Sequence, residues 1–101
     1  MFVNIIESYR RIIAIADEGL IGKQFFEGKK QLDIKENFYK GENEAPLSKE
    51  EVVRIIKIHS KEDSTFNIVG EKSVACAIEA GAITENEVLK IDGIPYTLIL
   101  L

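Results

Sequence analysis

The stretch Thr65-Phe66-Asn67-Ile68-Val69-Gly70-Glu71-Lys72-Ser73-Val74-Ala75-Cys76-Ala77-Ile78 changes its period in the middle. Thr65 to Val69 is a short run of strand formers, and Gly70 stops it. Glu71 to Ala80 then places Val74, Ala77 and Ile78 on one helical face, and Gly81 suits the position after a helix end. A strand that runs straight into a helix, inside a chain of short strands, points to a mixed α and β fold. Ala75, Cys76 and Ala80 make this helix apolar almost all round. That predicts cover on more than one side, from the sheet or from a partner subunit.

Working outward, Phe2 to Ser8 and Arg11 to Ala16 read as a hairpin around Tyr9-Arg10. Asp17 is placed to cap one helical turn that Gly22 ends. Lys23 to Glu27 and Gln31 to Lys35 flank the turn Gly28-Lys29-Lys30. In the second run Leu32 and Ile34 alternate with Gln31, Asp33 and Lys35, as in a half-buried antiparallel strand. Glu36 to Tyr39 forms a short turn that packs Phe38 and Tyr39 on the sheet edge, and Lys40 to Pro46 is a loop. Ser48 and Glu51 make a capping box, with Leu47 and Val52 as its hydrophobic staple. The helix behind it carries Val52, Ile55, Ile56 and His59 on its buried stripe. Polar Ser60 to Ser64 ends it.

Thr84 and Glu87 repeat the capping-box spacing. Val88 to Ile91 and Ile94 to Leu100 are strands joined by Asp92-Gly93, a type I′ hairpin signal. The sequence therefore reads as α+β over residues 1–101: a single domain with a mostly antiparallel mixed sheet and two main helices, Ser48–His59 and Glu71–Ala80, packed on it. The Thr65–Val69 strand with the final hairpin is the expected place for a parallel pair.

The 101 residues suit one domain, with 46% hydrophobic and 30% charged residues. The balance of 13 basic against 17 acidic residues, net −4, argues against broad charge-driven nucleic-acid binding but leaves room for a local basic patch. The one cysteine, Cys76, forms no internal disulfide. With no basic, then apolar, leader after Met1, it points to the cytoplasm. No apolar run approaches the ~20 residues that cross a bilayer, and the tail Leu98 to Leu101 is far shorter. No membrane contact is expected.

Chemistry is concentrated at Asn67 and Gly70-Glu71-Lys72-Ser73. A glycine before a helix allows a close turn, the first helical N–H groups lie open, and Lys72 and Ser73 add a charge and a hydroxyl. Those are the parts of an anion site, and the bland alternative is an ordinary strand–helix turn. It is not a P-loop, whose leading glycine would fall at position 65, where Thr65 stands. Asp17, Glu18 and Lys23 form a second candidate, against a capped and solvated turn. Lys29, Lys30, Tyr39 and Lys40, beside Lys23, Lys35, Phe25, Phe26 and Phe38, could serve RNA backbone contacts and stacking, or form a solvated face over the core. His59 is read as a core or helix-end residue and Cys76 as packed. One histidine with one cysteine supplies no metal ligand set, and no catalytic or cofactor motif appears.

Three stretches together resemble an archaeal family known only as domain of unknown function 424. They are Asp17-Glu18-Gly19-Leu20-Ile21-Gly22-Lys23 with Phe26-Glu27-Gly28, then Phe38-Tyr39-Lys40-Gly41-Glu42, then Asn67 to Ser73 with Ala77-Ile78-Glu79. The closing Ile94-Pro95 fits as well. Relatives often carry a cysteine just before the Asp-Glu pair, where this chain has Ala16. The resemblance implies a small archaeal cytoplasmic α+β domain near translation, and it carries over no catalytic residue. Three functions stay open. The first is a non-catalytic binding module for RNA or a translation-related partner. The second is an enzyme or ligand-binding domain for a small phosphorylated or carboxylated molecule. The third is a scaffold that forms a homodimer through the Glu71 helix or the last strand.

Overall fold

A computed structural model describes residues 1–100; Leu101, the end of the apolar tail, lies outside them. The elements are β1 (Phe2–Ile6), β2 (Arg11–Ala16), β3 (Gln24–Glu27), β4 (Lys30–Asp33), α1 (Glu36–Tyr39), α2 (Lys49–His59), β5 (Ser64–Val69), α3 (Glu71–Glu79), β6 (Leu89–Ile91) and β7 (Ile94–Leu100). Glu18–Leu20 and Glu85–Glu87 are single 3-10 turns. Five strands form one sheet in the order β1-β2-β5-β7-β6. All its pairings are antiparallel except β2 with β5. The fold is α+β, as the sequence indicates. The parallel partner of β5 is β2, whereas β7 of the final hairpin runs antiparallel to it.

The caps are local, and they form where the sequence writes them. The Ser48 hydroxyl accepts from the Glu51 N–H at 3.2 Å, and the Ser48 N–H donates to Glu51 Oε1 at 3.1 Å. Asp92 and Gly93 both take positive φ, 52° and 77°, as a type I′ turn requires. The first hairpin ends sooner than read: β1 stops at Ile6. The Ser8 hydroxyl bonds to the Arg10 carbonyl, and Arg11 pairs with Glu7 at 3.0 Å. These contacts hold a wider turn than Tyr9-Arg10 alone.

The sheet has two covered faces. Ile13, Ile15, Phe66 and Ile68 alternate onto the face that meets α2 and α3, through Val52, Val53, Ile56, Val74, Cys76 and Ala77. Ala14, Ala16 and Val69 alternate onto the other face, under Ile34, Tyr39, Phe25 and Leu32. The lysine-rich pair β3–β4 does not join the main sheet. It forms its own two-stranded sheet and lies across this second face. The small Ala14 and Ala16 leave room for that layer.

Lys30 pairs opposite Glu27, so the turn between β3 and β4 is two residues, Gly28 and Lys29, rather than three. The sheet and α2 together cover α3, leaving Glu71, Lys72, Ala75 and Glu79 exposed. A partner subunit is not needed to explain its apolar composition. The β1 edge is blunted: Leu47 N–H donates to the Met1 carbonyl at 2.7 Å and Asn43 Nδ2 to the Val3 carbonyl at 2.9 Å.

Candidate functional site

Because β2 and β5 are parallel and Ala16 pairs with Val69, the chain leaves both strands at one place. The Asp17 N–H donates to the Val69 carbonyl at 3.1 Å, and the Gly70 N–H to the Pro95 carbonyl at 2.8 Å. Asp17 and Gly70 thus emerge side by side at the carboxyl ends of neighbouring strands. Gly70 has φ 108° and ψ 154°, a conformation close to glycine-only, and it offers no side chain to cap α3.

Asp17 supplies the missing cap. Its Oδ2 accepts from the Lys72 N–H at 3.1 Å. Its Oδ1 accepts from the Ser73 N–H at 2.8 Å and from the Ser73 hydroxyl at 2.7 Å. The sequence reading placed Asp17 as the cap of its own turn, but its side chain makes no such bond there. The contact is close: a Cβ on Gly70 would lie 2.3 Å from Asp17 Cγ. The two sequence candidates do meet. In meeting, a carboxylate of the chain itself fills the anion slot at the start of α3, and the Ser73 hydroxyl is spent on it.

Around this joint the surface is concave. One open depression of about 330 Å³ is lined by Asp17, Glu18, Leu20, Lys72 and Met1. A second, of about 230 Å³, includes Leu20, Gly70, Glu71, Lys72, Ile94 and Pro95. A third, of about 210 Å³, is lined by Met1, Lys49, Lys72, Ala75 and Cys76. Lys72 borders all three. Its neighbour Lys49 is held by Glu79 at 3.0 Å, whereas the Lys72 ammonium has no ion pair among the described residues. The sequence reading missed Leu20, Ile94 and Pro95 as lining groups. Their only signal was membership of the stretches that carry the family resemblance.

Other expected members lie elsewhere. Asn67 sits on the face of β5 opposite α3, beside Ala14 and Leu98 in register, so it does not join the Asp17–Lys72 cleft. The Lys23 side chain is exposed, past the Glu18–Leu20 turn, where its backbone bonds Leu20 and Ile34. Lys29 and Lys30 are exposed at the β3–β4 turn. Tyr39 is not a stacking residue: it is 8% exposed and meets Phe38 edge-on, centroids 5.0 Å apart. Lys40 lies 5.1 Å over the Phe2 ring and 3.7 Å from Glu36. The basic and aromatic residues of the hairpin layer are therefore divided between core and surface. They form no continuous platform.

Burial, then the charge of Asp33, push the Tyr39 phenol above its ordinary value of 10.0. The folded chain holds this phenol neutral, so its contribution is complete below the unfolded value and is lost as pH rises through the folded one. Urea midpoints measured from pH 9 to 11.5 should fall more steeply for the natural chain than for Tyr39→Phe. Identical slopes would show that Tyr39 does not govern alkaline stability.

His59 lies at the opposite end of the parallel pair, where β2 and β5 begin. Its Nδ1 is 3.1 Å from Glu62 Oε2, which also bonds Arg11 at 2.6 Å. Burial raises the Cys76 thiol above its usual 9.0. Its sulfur faces the Met1 sulfur at 3.7 Å, as a packed group. Among the described residues no three His, Cys, Asp or Glu side chains gather as metal ligands, and no helix is long and apolar enough to cross a membrane.

Fold and joint together define a small α+β domain in which a parallel strand pair opens onto a helix capped from the neighbouring strand. The chain belongs to the family described as protein of unknown function, DUF424, whose model matches residues 6–101. No curated protein matches it. Its fold is similar to the crystal structure of an uncharacterized conserved protein from the archaeon Methanopyrus kandleri, with a TM-score of 0.81 and 22% identity over 97% of this chain and 88% of that one. At that identity the likeness shows the fold alone.

Proposed function

We propose that this chain is a non-catalytic binding module that takes a protein partner in the cleft between the Asp17–Leu20 turn and the start of α3. The observation that carries the reading is Lys72, an exposed ammonium without an ion pair among the described residues, where three depressions meet. Apolar Leu20, Ile94 and Pro95 stand beside it. A cation next to apolar contact surface suits association, where the charge orients and the apolar groups hold.

Two features favour binding over catalysis. The Asp17 carboxylate is committed to three hydrogen bonds, and the one histidine lies at the far end of the strands. Among the described residues no nucleophile with an adjacent base lines the cleft. RNA is disfavoured because Tyr39 is in the core and Lys40 sits on Phe2. The depressions, of about 330 and 230 Å³, lie at or below the small end of ordinary small-molecule pockets.

The test compares three immobilised proteins, the natural chain, Lys72→Glu and Leu20→Arg, against nuclease-treated extract of the source cells. A protein retained by the first and lost from both variants is the expected result. Retention that survives both changes, or that vanishes with nuclease, would overturn the reading, as would no retained protein at all.

A further inference from the structure

Away from the cleft, β7 outruns its neighbour. Ile91, Lys90 and Leu89 of β6 pair with Ile94, Pro95 and Tyr96. Beyond Tyr96, among the described residues, no strand pairs with the outer edge of Thr97 to Leu100. We infer that two copies of this chain associate through that edge, β7 antiparallel to β7, into one continuous sheet.

The backbone fixes which groups the edge offers. In an antiparallel pair, alternate residues turn both N–H and C=O to the same neighbour. The Gly70 N–H donates to the Pro95 carbonyl at 2.8 Å, and this sets the phase along β7. In that phase Thr97, opposite Ile68, and Ile99, opposite Phe66, face β5. Tyr96, Leu98 and Leu100 face outward. Tyr96 meets Leu89 of β6. Leu98 and Leu100 meet no strand, and among the described residues no turn or loop backbone group bonds them.

The side chains give the edge no protection. Sheet edges are ordinarily guarded by charges, prolines or a covering loop. Leu47 and Asn43 cover the β1 edge, and β6 carries the exposed Lys90. Thr97-Leu98-Ile99-Leu100 has no such guard. Leu98 and Leu100 are 56% and 68% exposed, beside Asn67 and Thr65 on the face away from α3.

The strand that fits this edge is the edge itself. Set Leu98 opposite Leu100 of the other copy, with Ile99 on the twofold axis. Leu98 and Leu100 of each copy then give their N–H groups to the carbonyls of Leu100 and Leu98 of the other, and every outward group finds a partner. The same leucines pack against their symmetry mates across the seam. Sliding the pair until Leu98 meets Leu98 would put Leu100 opposite Tyr96, whose edge β6 already holds. β6 therefore acts as a stop that selects the register. Charge agrees with it. Copies that each carry a net charge of −4 repel, and this stretch lets them meet where neither strand is charged.

The test is sedimentation of the natural chain at rising concentration, with amide hydrogen exchange on the same samples. Mass should climb from one chain towards two. Leu98 and Leu100 amides should gain protection about tenfold as the dimer forms, by mass action. Thr97 and Ile99 amides, bonded to β5, should be protected throughout. Leu98→Pro removes one outward N–H and breaks no bond to β5. It should melt like the natural chain at low concentration and stay single at high concentration. Leu98→Lys, which keeps the backbone intact, should also stay single. Phe26→Lys changes another exposed apolar residue and should dimerise like the natural chain. A natural chain that remains single at the highest concentration would overturn the inference. So would a dimer that survives Leu98→Lys, or one whose Leu98 and Leu100 amides exchange as freely as in the monomer. Protection that arises only when another protein is added would mean that the edge takes a foreign strand, and self-pairing falls.

Discussion

Gly70→Ala is expected to destabilise the chain by about 4 kcal/mol, the sum of a strained backbone conformation and a forced contact. Alanine at φ 108° and ψ 154° is unfavourable in itself. Its Cβ would also lie 2.3 Å from Asp17 Cγ and 2.6 Å from both carboxylate oxygens. The Asp17 side chain cannot simply swing aside, because three hydrogen bonds hold it. Urea unfolding measures the loss directly. The two causes separate in a double-mutant cycle with Asp17→Gly. Removing the carboxylate removes the clash but leaves the backbone strain. The double variant should therefore be more stable than the sum of the single effects by more than 1 kcal/mol, about the coupling of residues in contact. A Gly70→Ala protein with an unchanged midpoint would show that the close approach is wrong.

Asp17→Ala is expected to cost about 3 kcal/mol, since it deletes a charged cap and leaves the buried Ser73 hydroxyl without its acceptor. For a domain of this size that lowers the midpoint of thermal unfolding by roughly 15 °C. Asp17→Asn keeps an acceptor and loses the charge, so it should fall between the natural chain and Asp17→Ala. The vacated slot also has a chemical signature. In Asp17→Gly, formate carries the carboxylate of the missing group and fits within its volume, and it should raise the melting temperature as its concentration rises. The natural chain, with its slot filled, should respond to formate no more than to sodium chloride at matched ionic strength. Equal responses in the two proteins would mean that Asp17 does not occupy an anion site.

Much of the fold was legible because the signals are local. Ser48 and Glu51 cap α2 within a few residues, and Asp92-Gly93 turns between adjacent strands. Those interactions need no knowledge of the rest of the chain. Pairing of β2 with β5 is different, since it depends on segments far apart in sequence. Alternation over Gln31 to Lys35 separated Leu32 and Ile34 from their polar neighbours, but it could not show that β3–β4 would lie across the main sheet instead of extending it. Tyr39 illustrates the same gap: an aromatic beside lysines has the same sequence signature whether it faces a ligand or the core.

At the candidate site the residues were legible and their relation was not. Gly70 was recognised as a close turn, and Asp17 as a cap. What sequence could not supply was the helix that Asp17 caps, which begins at Glu71 and gives Asp17 its first N–H from Lys72, 55 residues on. Asn67 was grouped with the joint because it is near in sequence. The two-residue period of β5 instead sends it to the opposite face from α3.

A borrowed cap has a consequence for how the chain assembles. Gly70 gives α3 a flexible start with no acceptor of its own, so the isolated segment is a poor nucleus for a helix. The acceptor arrives only when β2 has taken its place beside β5. The first turn of α3 and the parallel strand pair are therefore one cooperative unit in folding. Opening of the Ala16–Val69 end of that pair withdraws the cap, and fraying at the cleft becomes linked to breathing of the sheet itself.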